Sequence, residues 1–392
     1  MKNRVVLLSK DALCKAYLPI YGNKYWEMPN LMELAAKGTV FNRYYTAAPS
    51  SAMSYLSMFT GINPFAHNRK DYMPIEGNFD APNMFLNLEA KGYKCHIIWD
   101  IRWYTGAYRY SKCFGNAEMH NMHIEVPVGC HMMGDKAPVR DDIVSRENLN
   151  AIFKEIDIAC ESTTDKLFIW IHLPHVLKGR TSYGSDMDLY DKVIGYLRTK
   201  FDDDCIFISS DHGNMNGTRD KMCYGFDVYE SAACIPMISP RINALSECNV
   251  PISNIRLEDI LDERIPTDEF IYCDSAYVDQ PNRKLAIYHG NFKYIYNKKT
   301  KTEELYDLAY DPTEQCNIVS RIKVDVDRRI NYPLDQVYFY PYWEEAEKEL
   351  AILRKEFQRV WNNGTAKQNF VGRLKAIKGL IKIRVKNIIG NK

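Results

Sequence analysis

The segment 205–217, CIFISSDHGNMNG, is the stretch that decides the class of fold. Its first half is a short, continuous apolar run, which is typical of a strand buried on both faces of a parallel sheet. Asp211 and His212 follow this run directly and meet Gly213. Because open α/β sheets bind ligands at the carboxyl ends of their strands, the segment predicts a sheet edge that presents a carboxylate and an imidazole.

Two other apolar runs lead to similar polar residues. RVVLLS (4–9) is followed closely by Asp11, and KLFIWIH (166–172) leads through Leu-Pro to His175. KCHIIWD (94–100) predicts a fourth strand. Helical segments separate these runs, at 29–38, 52–60, 81–92, 146–159 and 186–201. Strands that alternate with helices predict a doubly wound, mostly parallel α/β sheet.

The pattern of the sequence changes after about residue 250. Short strands with polar turns fill 284–308, which predicts antiparallel pairing. A charged helix is predicted from 343 to 362, where Asn-Asn-Gly ends it. We therefore predict a main α/β domain at 1–250, a small antiparallel β subdomain at 251–320 that completes it, and a helical extension with a basic tail at 321–392.

Composition excludes several classes of protein. The chain has 392 residues, 46% of them hydrophobic, which is enough for a large core with a subdomain. The formal net charge is +1, so no global positive field favours nucleic acid as a partner. The start, MKNRVVLLSKDAL, does not resemble a signal peptide, and no apolar run approaches the roughly 20 residues of a membrane span. The 11 scattered cysteines without a CxxC pair predict reduced thiols and a cytoplasmic protein.

Candidate metal ligands collect at the carboxyl edge of the predicted sheet. Three strands deliver Asp11, the pair Asp211 and His212, and the histidines His172 and His175. Oxygen and nitrogen ligands of this kind suit Mn²⁺ or Zn²⁺ better than Ca²⁺ or Mg²⁺ alone. Each signal has an ordinary alternative, since Asp-His-Gly also forms turns and a lone Asp also caps helices. His172 points back along its strand, which favours a core histidine.

The segment 48–61, APSSAMSYLSMFTG, holds serines at positions 50, 51, 54 and 57. The simplest interpretation of this segment alone is a helix N-terminus with serine caps. Ser51 is the natural N-cap of a helix at 52–60, where its oxygen faces the positive end of the helix dipole. That position favours a bound anion or an alkoxide. The segment alone does not decide whether Ser51 or Ser50 has a chemical role.

The order of these elements resembles the sulfatase branch of the alkaline phosphatase superfamily. VVLLSKDAL resembles its first strand with a metal-binding Asp, and MPNLMELAAKGTVFNRYYTAAPSS and SYLSMFTGINPFAHN resemble the segments around its nucleophile. LEAKGYKCHII, FIWIHLPH, ISSDHGNMNG, VYESAACIPMISP, FKYIYN and ELYDLAYDPTEQCNI resemble later elements, from residue 88 to about 318. The resemblance implies an alkaline-phosphatase-like fold: a doubly wound, mostly parallel sheet, a smaller C-terminal antiparallel subdomain and a helical tail.

The resemblance also implies a site. The family's nucleophile stands ten residues before the glycine of a Thr-Gly pair, and the count back from Gly61 gives Ser51, which is thereby favoured over Ser50. One divalent ion is implied, with Mn²⁺ favoured and Zn²⁺ or Ca²⁺ as alternatives. Its ligands are then Asp11, Ser51, Asp211 and His212.

Several positions depart from the sulfatase pattern. Conversion of the nucleophile to formylglycine needs Pro or Ala two residues on and Arg four residues on, where this chain has Met53 and Tyr55. Ser51 is therefore predicted to act as a plain hydroxyl. The family's sulfate-binding Lys, the second Asp of its N-terminal pair and a later His or Lys are replaced by Asp100, Ala12 and Tyr224. What remains resembles the one-metal site of phosphoglycerol and phosphoethanolamine transferases, which favours phosphoryl over sulfate chemistry.

The catalytic roles follow from this resemblance. We expect Ser51 to attack phosphorus and form a covalent intermediate, which water or an alcohol then resolves. His175 is expected to protonate the leaving oxygen or to steady a non-bridging one. Arg102 and Arg109 are candidate clamps for the substrate's phosphate or sugar, with an ordinary surface loop as the alternative. His289 is a further candidate that would reach the site from the small subdomain.

The basic tail 365–392 has two interpretations. It is rich in Lys and Arg, has no acidic residue, and places apolar residues at helical spacing. Either it packs as a solvated helix on its own domain, or it lies on the inner, anionic face of the membrane as a peripheral contact.

The main functional hypothesis is a metal-dependent phosphoryl or phosphodiester transferase or hydrolase. Its substrate would be a phosphorylated small molecule, a glycan or a lipid-linked sugar in cell-surface polysaccharide assembly. One alternative is a sulfuric ester hydrolase, and another is a non-catalytic, sulfatase-like protein that binds glycans or acts as a scaffold. Bound metal distinguishes an enzyme from a scaffold, and the mass of the peptide around Ser51 distinguishes formylglycine from serine.

Overall fold

The computed structural model describes residues 1–66, 83–99, 114–122, 146–163, 165–174, 183–215, 217–221, 224–275, 282–319 and 340–361. The strands are β1 Arg4–Lys10, β2 Thr39–Phe41, β3 Tyr44–Tyr45, β4 Lys94–Trp99, β5 Glu118–Asn121, β6 Leu167–Leu173, β7 Ile206–Ser210, β8 Cys234–Ile235, β9 Met237–Ser239, β10 Glu247–Cys248, β11 Ile252–Ser253, β12 Ile271–Asp274, β13 Lys284–His289, β14 Phe292–Asn297 and β15 Thr302–Asp307. The α-helices are α1 Pro29–Lys37, α2 Ser51–Thr60, α3 Met84–Ala90, α4 Arg146–Glu161, α5 Tyr183–Leu197, α6 Glu230–Ala233, α7 Leu257–Leu261 and α8 at 343–361.

Within the part of the chain that the structure describes, eight strands form the central sheet, in the order β10-β2-β9-β7-β1-β6-β4-β5. β1 pairs in parallel with β6 and β7, and β4 pairs in parallel with β6 and β5. Only β9 among these strands runs antiparallel to its neighbours, β2 and β7. The predicted doubly wound, mostly parallel sheet is confirmed, and all four strands predicted from apolar runs lie in it.

Helices cover both faces of this sheet, which explains why its strands are continuous apolar runs. Along β1, Val5 and Leu7 belong to the core on one face, with residues of α2 and α3. Val6 and Leu8 belong to the core on the other face, with residues of α1, α4 and α5. A strand with apolar neighbours on both sides has no position that favours a polar residue until it reaches the edge.

A separate antiparallel sheet of four strands, β12-β13-β14-β15, follows the main sheet. Residues 284–308, predicted as short strands, form β13, β14 and β15 joined by tight turns. Leu350 and Leu353 of α8 pack against Leu285 and Tyr294 of this sheet. The smaller antiparallel sheet and the C-terminal helix are therefore confirmed, while the boundaries at 250 and 320 stay predictions.

The tail 365–392 lies outside the described residues, so its two interpretations stay open. Within the described ranges, no helix combines the length and the apolar character needed to cross a bilayer. The eight cysteines in those ranges are all free thiols.

Candidate active site

The carboxyl edge of the sheet brings two aspartates together. Lys10, the last residue of β1, pairs in parallel with Ser210, the last residue of β7. Asp11 and Asp211 therefore leave adjacent strands at the same edge. The Asp211 side chain is fully buried, and the Asp11 side chain is 13% exposed, so the pair has one side open to a ligand.

His212 completes a compact group of three ligand side chains. Its Nε2 lies 3.5 Å from Asp11 Oδ1 and 3.4 Å from Asp211 Oδ2. One donor atom from each of the three residues lies within 4.8 Å of the others. The sequence-based prediction that these residues converge is thus matched by their positions in the structure.

Ser51 faces the same point. Its Oγ lies 3.1 Å from His212 Nε2 and 3.4 Å from Asp11 Oδ1. The helix begins one residue earlier than predicted: Ser51 is the first residue of α2, and Ser50 is the N-cap, with extended φ and ψ of −152° and 141°. The expectation that Ser51 is the N-cap was therefore wrong, because the extended backbone ends at Ser50. Ser51 nevertheless stays in the first turn, at the positive end of the helix.

The tautomer of His212 follows from its second ring nitrogen. Nδ1 lies 2.8 Å from the carbonyl oxygen of Gly213, which accepts a hydrogen bond and cannot donate one. Nδ1 therefore carries a hydrogen, and Nε2 is the ring nitrogen that faces the two aspartates and Ser51 and that would bind a metal ion. Gly213 permits this turn because a Cβ there would lie 2.1 Å from the Ser231 carbonyl oxygen.

Asp211 is held by donors on both of its oxygens. The backbone N–H groups of Ala12 and His212 donate to Oδ1 at 3.0 and 2.8 Å. The Tyr55 hydroxyl donates to Oδ2 at 3.0 Å. Ala12 adopts a left-handed φ of 55°, which turns its N–H group toward the carboxylate. Such outer partners fix the orientation of a ligand carboxylate.

A chain of hydrogen bonds continues from Tyr55 into the core. The Tyr55 hydroxyl contacts His172 Nε2, and His172 Nδ1 lies 2.8 Å from Ser9 Oγ. Trp170 Nε1–H donates to Ser9 Oγ at 2.8 Å, and the Ser9 hydroxyl has two acceptors within reach, His172 Nδ1 and the Ile171 carbonyl oxygen at 3.3 Å. Because Tyr55 donates its single hydrogen to Asp211, its oxygen accepts from His172 Nε2–H, and in the neutral ring Nδ1 is then the acceptor that faces Ser9. Burial lowers the pKa of His172 to about 3, so the neutral ring that this chain requires is the stable form.

Tyr55 is the residue that sequence reasoning missed as part of the site, and His172 is one that it favoured for the core. Tyr55 stood out only as the absence of the family's Arg, and His172 was assigned to the core, where it is indeed fully buried. One signal was available: Ser51 and Tyr55 are four residues apart on one helix, so they share a face. The contact with Asp211 needed the three-dimensional structure.

The other predicted site residues have varied outcomes. His289 Nδ1 lies 2.7 Å from Glu349, and its ring stacks on Phe270 with centroids 5.0 Å apart. Its expected contact with substrate stays a prediction. Tyr224 lies beside the site, with its ring centroid 4.5 Å from that of His212. The remaining predicted residues fall outside the described part of the chain: Asp100, Arg102, Arg109 and His175.

The donor set fits a divalent metal ion. Two carboxylates, an imidazole nitrogen with a directed lone pair, and a hydroxyl converge on one point, and two of them are anionic. This combination suits Mn²⁺, Zn²⁺ and related divalent ions. Asp11, Asp211, His212 and Ser51 are the residues that would hold such an ion.

A mostly parallel α/β sheet with this ligand set at its carboxyl edge defines an alkaline-phosphatase-like protein. Residues 2–215 of the 392 match the Sulfatase family, and the chain belongs to that family. A 72-residue region is 38% identical to an arylsulfatase of Clostridium perfringens, and covers 18% of this chain. The chain spans only 15% of the length of that relative, so the likeness to it is local.

Solved structures show the same fold over nearly the whole chain. A 2-O GAG sulfatase superposes with a TM-score of 0.64, at 12% identity, over 93% of this chain and 93% of its own. The phosphonate monoester hydrolase of Agrobacterium radiobacter superposes with a TM-score of 0.60, at 14% identity, over 90% of this chain and 96% of its own. At these identities the likeness concerns the fold alone.

Proposed function

We propose that this chain hydrolyses sulfuric esters at the centre formed by Asp11, Ser51, Asp211 and His212. The observation that carries the proposal is the convergence of these side chains on one point in a member of the sulfatase family. The arylsulfatase and the 2-O GAG sulfatase among the similar proteins support a sulfate ester as the substrate and a sulfated glycan as its class.

The side chains of the centre have separate tasks. A bound divalent ion supplies positive charge that offsets the charge of the ester and lowers the pKa of a coordinated hydroxyl. Asp211, held by its three donors, keeps a fixed orientation. His212 presents Nε2 because Gly213 holds its other nitrogen as the N–H donor. Asp11 Oδ1 accepts a hydrogen bond from the Ser51 hydroxyl, which orients the serine oxygen.

The reaction then follows in two displacements. Ser51 Oγ attacks sulfur and gives up its proton, the bond from sulfur to the ester oxygen breaks, and the alcohol leaves with a proton. Water next attacks the same sulfur, the bond from sulfur to Ser51 Oγ breaks, and sulfate leaves while the serine hydroxyl is restored. One water is consumed for each alcohol and sulfate released.

Phosphoryl chemistry is a second candidate, and a specific observation favours it. The residues that signal conversion to formylglycine are replaced by Met53 and Tyr55, and both have other roles in the structure. Met53 is fully buried in the core, and the Tyr55 hydroxyl donates a hydrogen bond to Asp211. Ser51 as a plain hydroxyl suits attack on a phosphate ester, in a phosphorylated head group, glycan or lipid-linked sugar. The phosphonate monoester hydrolase with the same fold supports this candidate.

An assay with three model esters separates the candidates. Purified protein is offered an aryl sulfate, an aryl phosphomonoester and an aryl phosphodiester, with Mn²⁺, Zn²⁺ or EDTA, beside Ser51→Ala. We expect metal-dependent release from the sulfate that Ser51→Ala abolishes. Release from a phosphate ester alone would replace sulfate hydrolysis by the second candidate. Silence on all three esters with no metal in the protein would leave a sulfatase-like scaffold.

The mass of the peptide that contains Ser51 gives an independent check on the nucleophile. Formylglycine in place of serine lowers the mass by about 2 units, because two hydrogens are lost. We expect the unmodified mass, since Met53 and Tyr55 replace the maturation signal.

A further inference from the structure

A second group of metal-type ligands lies away from the candidate active site, where strand β5 ends the central sheet. β4 and β5 pair in parallel, with His96 opposite Glu118 and Ile98 opposite His120. Because alternate residues of a strand share a face, His96 lies on the same face as Ile98, which packs with residues of α4. The two histidines are 0% and 7% exposed, while the Glu118 side chain is 54% exposed.

The donor atoms of these three residues face one another. His96 Nδ1 and His120 Nε2 lie 2.8 Å apart. Glu118 Oε2 lies 3.9 Å from His96 Nδ1, and Glu118 Oε1 lies 3.9 Å from His120 Nε2. Donors that share a tetrahedral ion at about 2.0 to 2.2 Å, the range for zinc with nitrogen and oxygen, lie about 3.3 to 3.6 Å from one another, and the separations here lie on either side of that value by a few tenths of an ångström.

The outer nitrogen of each ring is fixed by an acceptor. His120 Nδ1 lies 3.0 Å from a carboxylate oxygen of Glu155, on α4. His96 Nε2 lies 2.8 Å from Ser162 Oγ, whose own hydrogen goes to the Ala159 carbonyl oxygen at 2.7 Å. Both outer nitrogens must therefore carry hydrogen. A histidine that donates its outer N–H to a carboxylate or a comparable oxygen is the usual arrangement behind a metal ligand.

This pattern of donors leaves two lone pairs in opposition. If both rings are neutral, His96 Nδ1 and His120 Nε2 direct lone pairs at each other across 2.8 Å. A shared cation makes that contact favourable: a proton fits the present separation, and a metal ion fits once the two nitrogens move apart by about half an ångström. The carboxylates of Glu118 and Glu155 both lie beside the two histidines. Their combined negative charge balances a divalent ion, whereas a single shared proton would need only one of them.

We propose that His96, His120 and Glu118 form a second metal site, which takes a divalent transition ion of the zinc class. Imidazole with one carboxylate is a ligand set that such ions prefer over the harder Ca²⁺ and Mg²⁺. An ion from solvent would meet Glu118 first, because its side chain is exposed and the two histidines are buried. Lys94, which lies 3.5 Å from Glu118, is 44% exposed and is free to turn into solvent when the ion binds. The ion ties the edge strand β5 to β4, and through Glu155 to α4.

Equilibrium dialysis of the full chain against Zn²⁺ alone tests the proposal without any assay of activity. We expect two equivalents of zinc in the wild type, one at each site. Asp11→Asn with Asp211→Asn removes the first site and should leave one equivalent. His96→Gln with His120→Gln in the wild-type background should also leave one equivalent, and ester hydrolysis should persist. Binding of a single equivalent that the Asp11 and Asp211 substitutions abolish would overturn the proposal.

Single variants keep the test valid if the double histidine variant fails to fold. Glu118→Gln changes an exposed side chain, so it should fold and still weaken the second equivalent. Glu155→Gln should weaken it about 10- to 100-fold, the usual effect of losing an outer partner. His289→Gln is the matched control, since His289 pairs with Glu349 and no second histidine among the described residues is paired with it. An unchanged second equivalent in both glutamate variants would place that ion elsewhere and reject this site.

Discussion

The Tyr55 hydroxyl donates a 3.0 Å hydrogen bond to Asp211 Oδ2, and its ring stands edge-on to His172 with centroids 4.9 Å apart. Tyr55 occupies the position where the formylglycine signal requires arginine. The chain therefore uses this position to hold a candidate metal ligand. His172 reaches Asp211 through Tyr55, so both are positioning residues.

Tyr55→Phe is expected to weaken metal binding at the candidate active site by about 10- to 100-fold, because Asp211 Oδ2 loses its donor. Equilibrium dialysis against Mn²⁺ or Zn²⁺ measures the change. Tyr44→Phe is the matched control: Tyr44 is fully buried, and its hydroxyl finds no hydrogen-bond partner among the described residues. Equal metal affinities in wild type and Tyr55→Phe would show that the hydrogen bond does not position Asp211.

The structure also separates the two serines that the sequence left in competition. Ser51→Ala should reduce turnover by several orders of magnitude, because no other hydroxyl of α2 is placed at 3.1 Å from His212 Nε2. Ser50→Ala should leave turnover and stability nearly unchanged, because the Ser50 side chain makes no capping hydrogen bond. Initial rates on the preferred model ester compare the two variants. The reverse ranking would make Ser50 the nucleophile.

Gly213 gives a test of how tightly the loop that carries His212 is packed. In Gly213→Ala the new Cβ would meet the Ser231 carbonyl oxygen at 2.1 Å, so the backbone must shift. We expect a loss of about 1–3 kcal/mol in the free energy of unfolding, the usual cost of overpacking, together with weaker metal binding as His212 moves.

Gly38→Ala is the control for that experiment, since its Cβ would meet the Ser239 carbonyl oxygen at 2.4 Å, away from the metal ligands. This variant should lose stability by a similar amount and keep the metal affinity of the wild type. Urea denaturation and dialysis measure the two quantities separately. If both variants bind metal like the wild type, the turn at Gly213 does not position His212.

The sequence predicted most of the fold because its central strands carry a local signal. Runs such as RVVLLS and CIFISS are apolar at every position, since helices cover both faces, and they end where Asp11 and Asp211 begin. The ligand group was predictable because parallel strands bring their carboxyl ends to one edge. Its supporting contacts were not, since they join residues far apart in sequence. Tyr55 reaches Asp211 across 156 positions, and no periodicity encodes such a pairing.

The first residue of α2 likewise could not be predicted from the sequence. Ser50 and Ser51 are chemically identical as caps, so the residue at which extended backbone ends depends on the packing around it. The group of His96, Glu118 and His120 at the edge of the central sheet was missed because it too depends on three-dimensional packing. His96 and His120 lie 24 positions apart, and only the register of β4 with β5 brings them together.

The last prediction concerns a buried charge group between α6 and the small sheet. Lys293, which is fully buried, lies 3.0 Å from Glu230 Oε1 and 2.7 Å from Glu314 Oε1. One ammonium thus faces two carboxylates. Burial, with the charge of Glu230, outweighs the opposing charge of Lys293 and raises the pKa of Glu314 from its ordinary 4.5 to about 7. Between these two pH values the folded chain holds a proton there that the unfolded chain has lost.

Between about pH 4.5 and pH 7, unfolding therefore releases this proton, and a rise in pH favours the unfolded state. Glu314 should make the free energy of unfolding fall by at most about 1.4 kcal/mol for each pH unit in that window. Glu314→Gln removes the titrating group but keeps an oxygen that accepts from the Glu230 N–H at 2.7 Å. Urea titrations at several pH values should give a flatter dependence for this variant than for the wild type. If the two slopes are the same, Glu314 is ionised across the window and both carboxylates share Lys293 as anions.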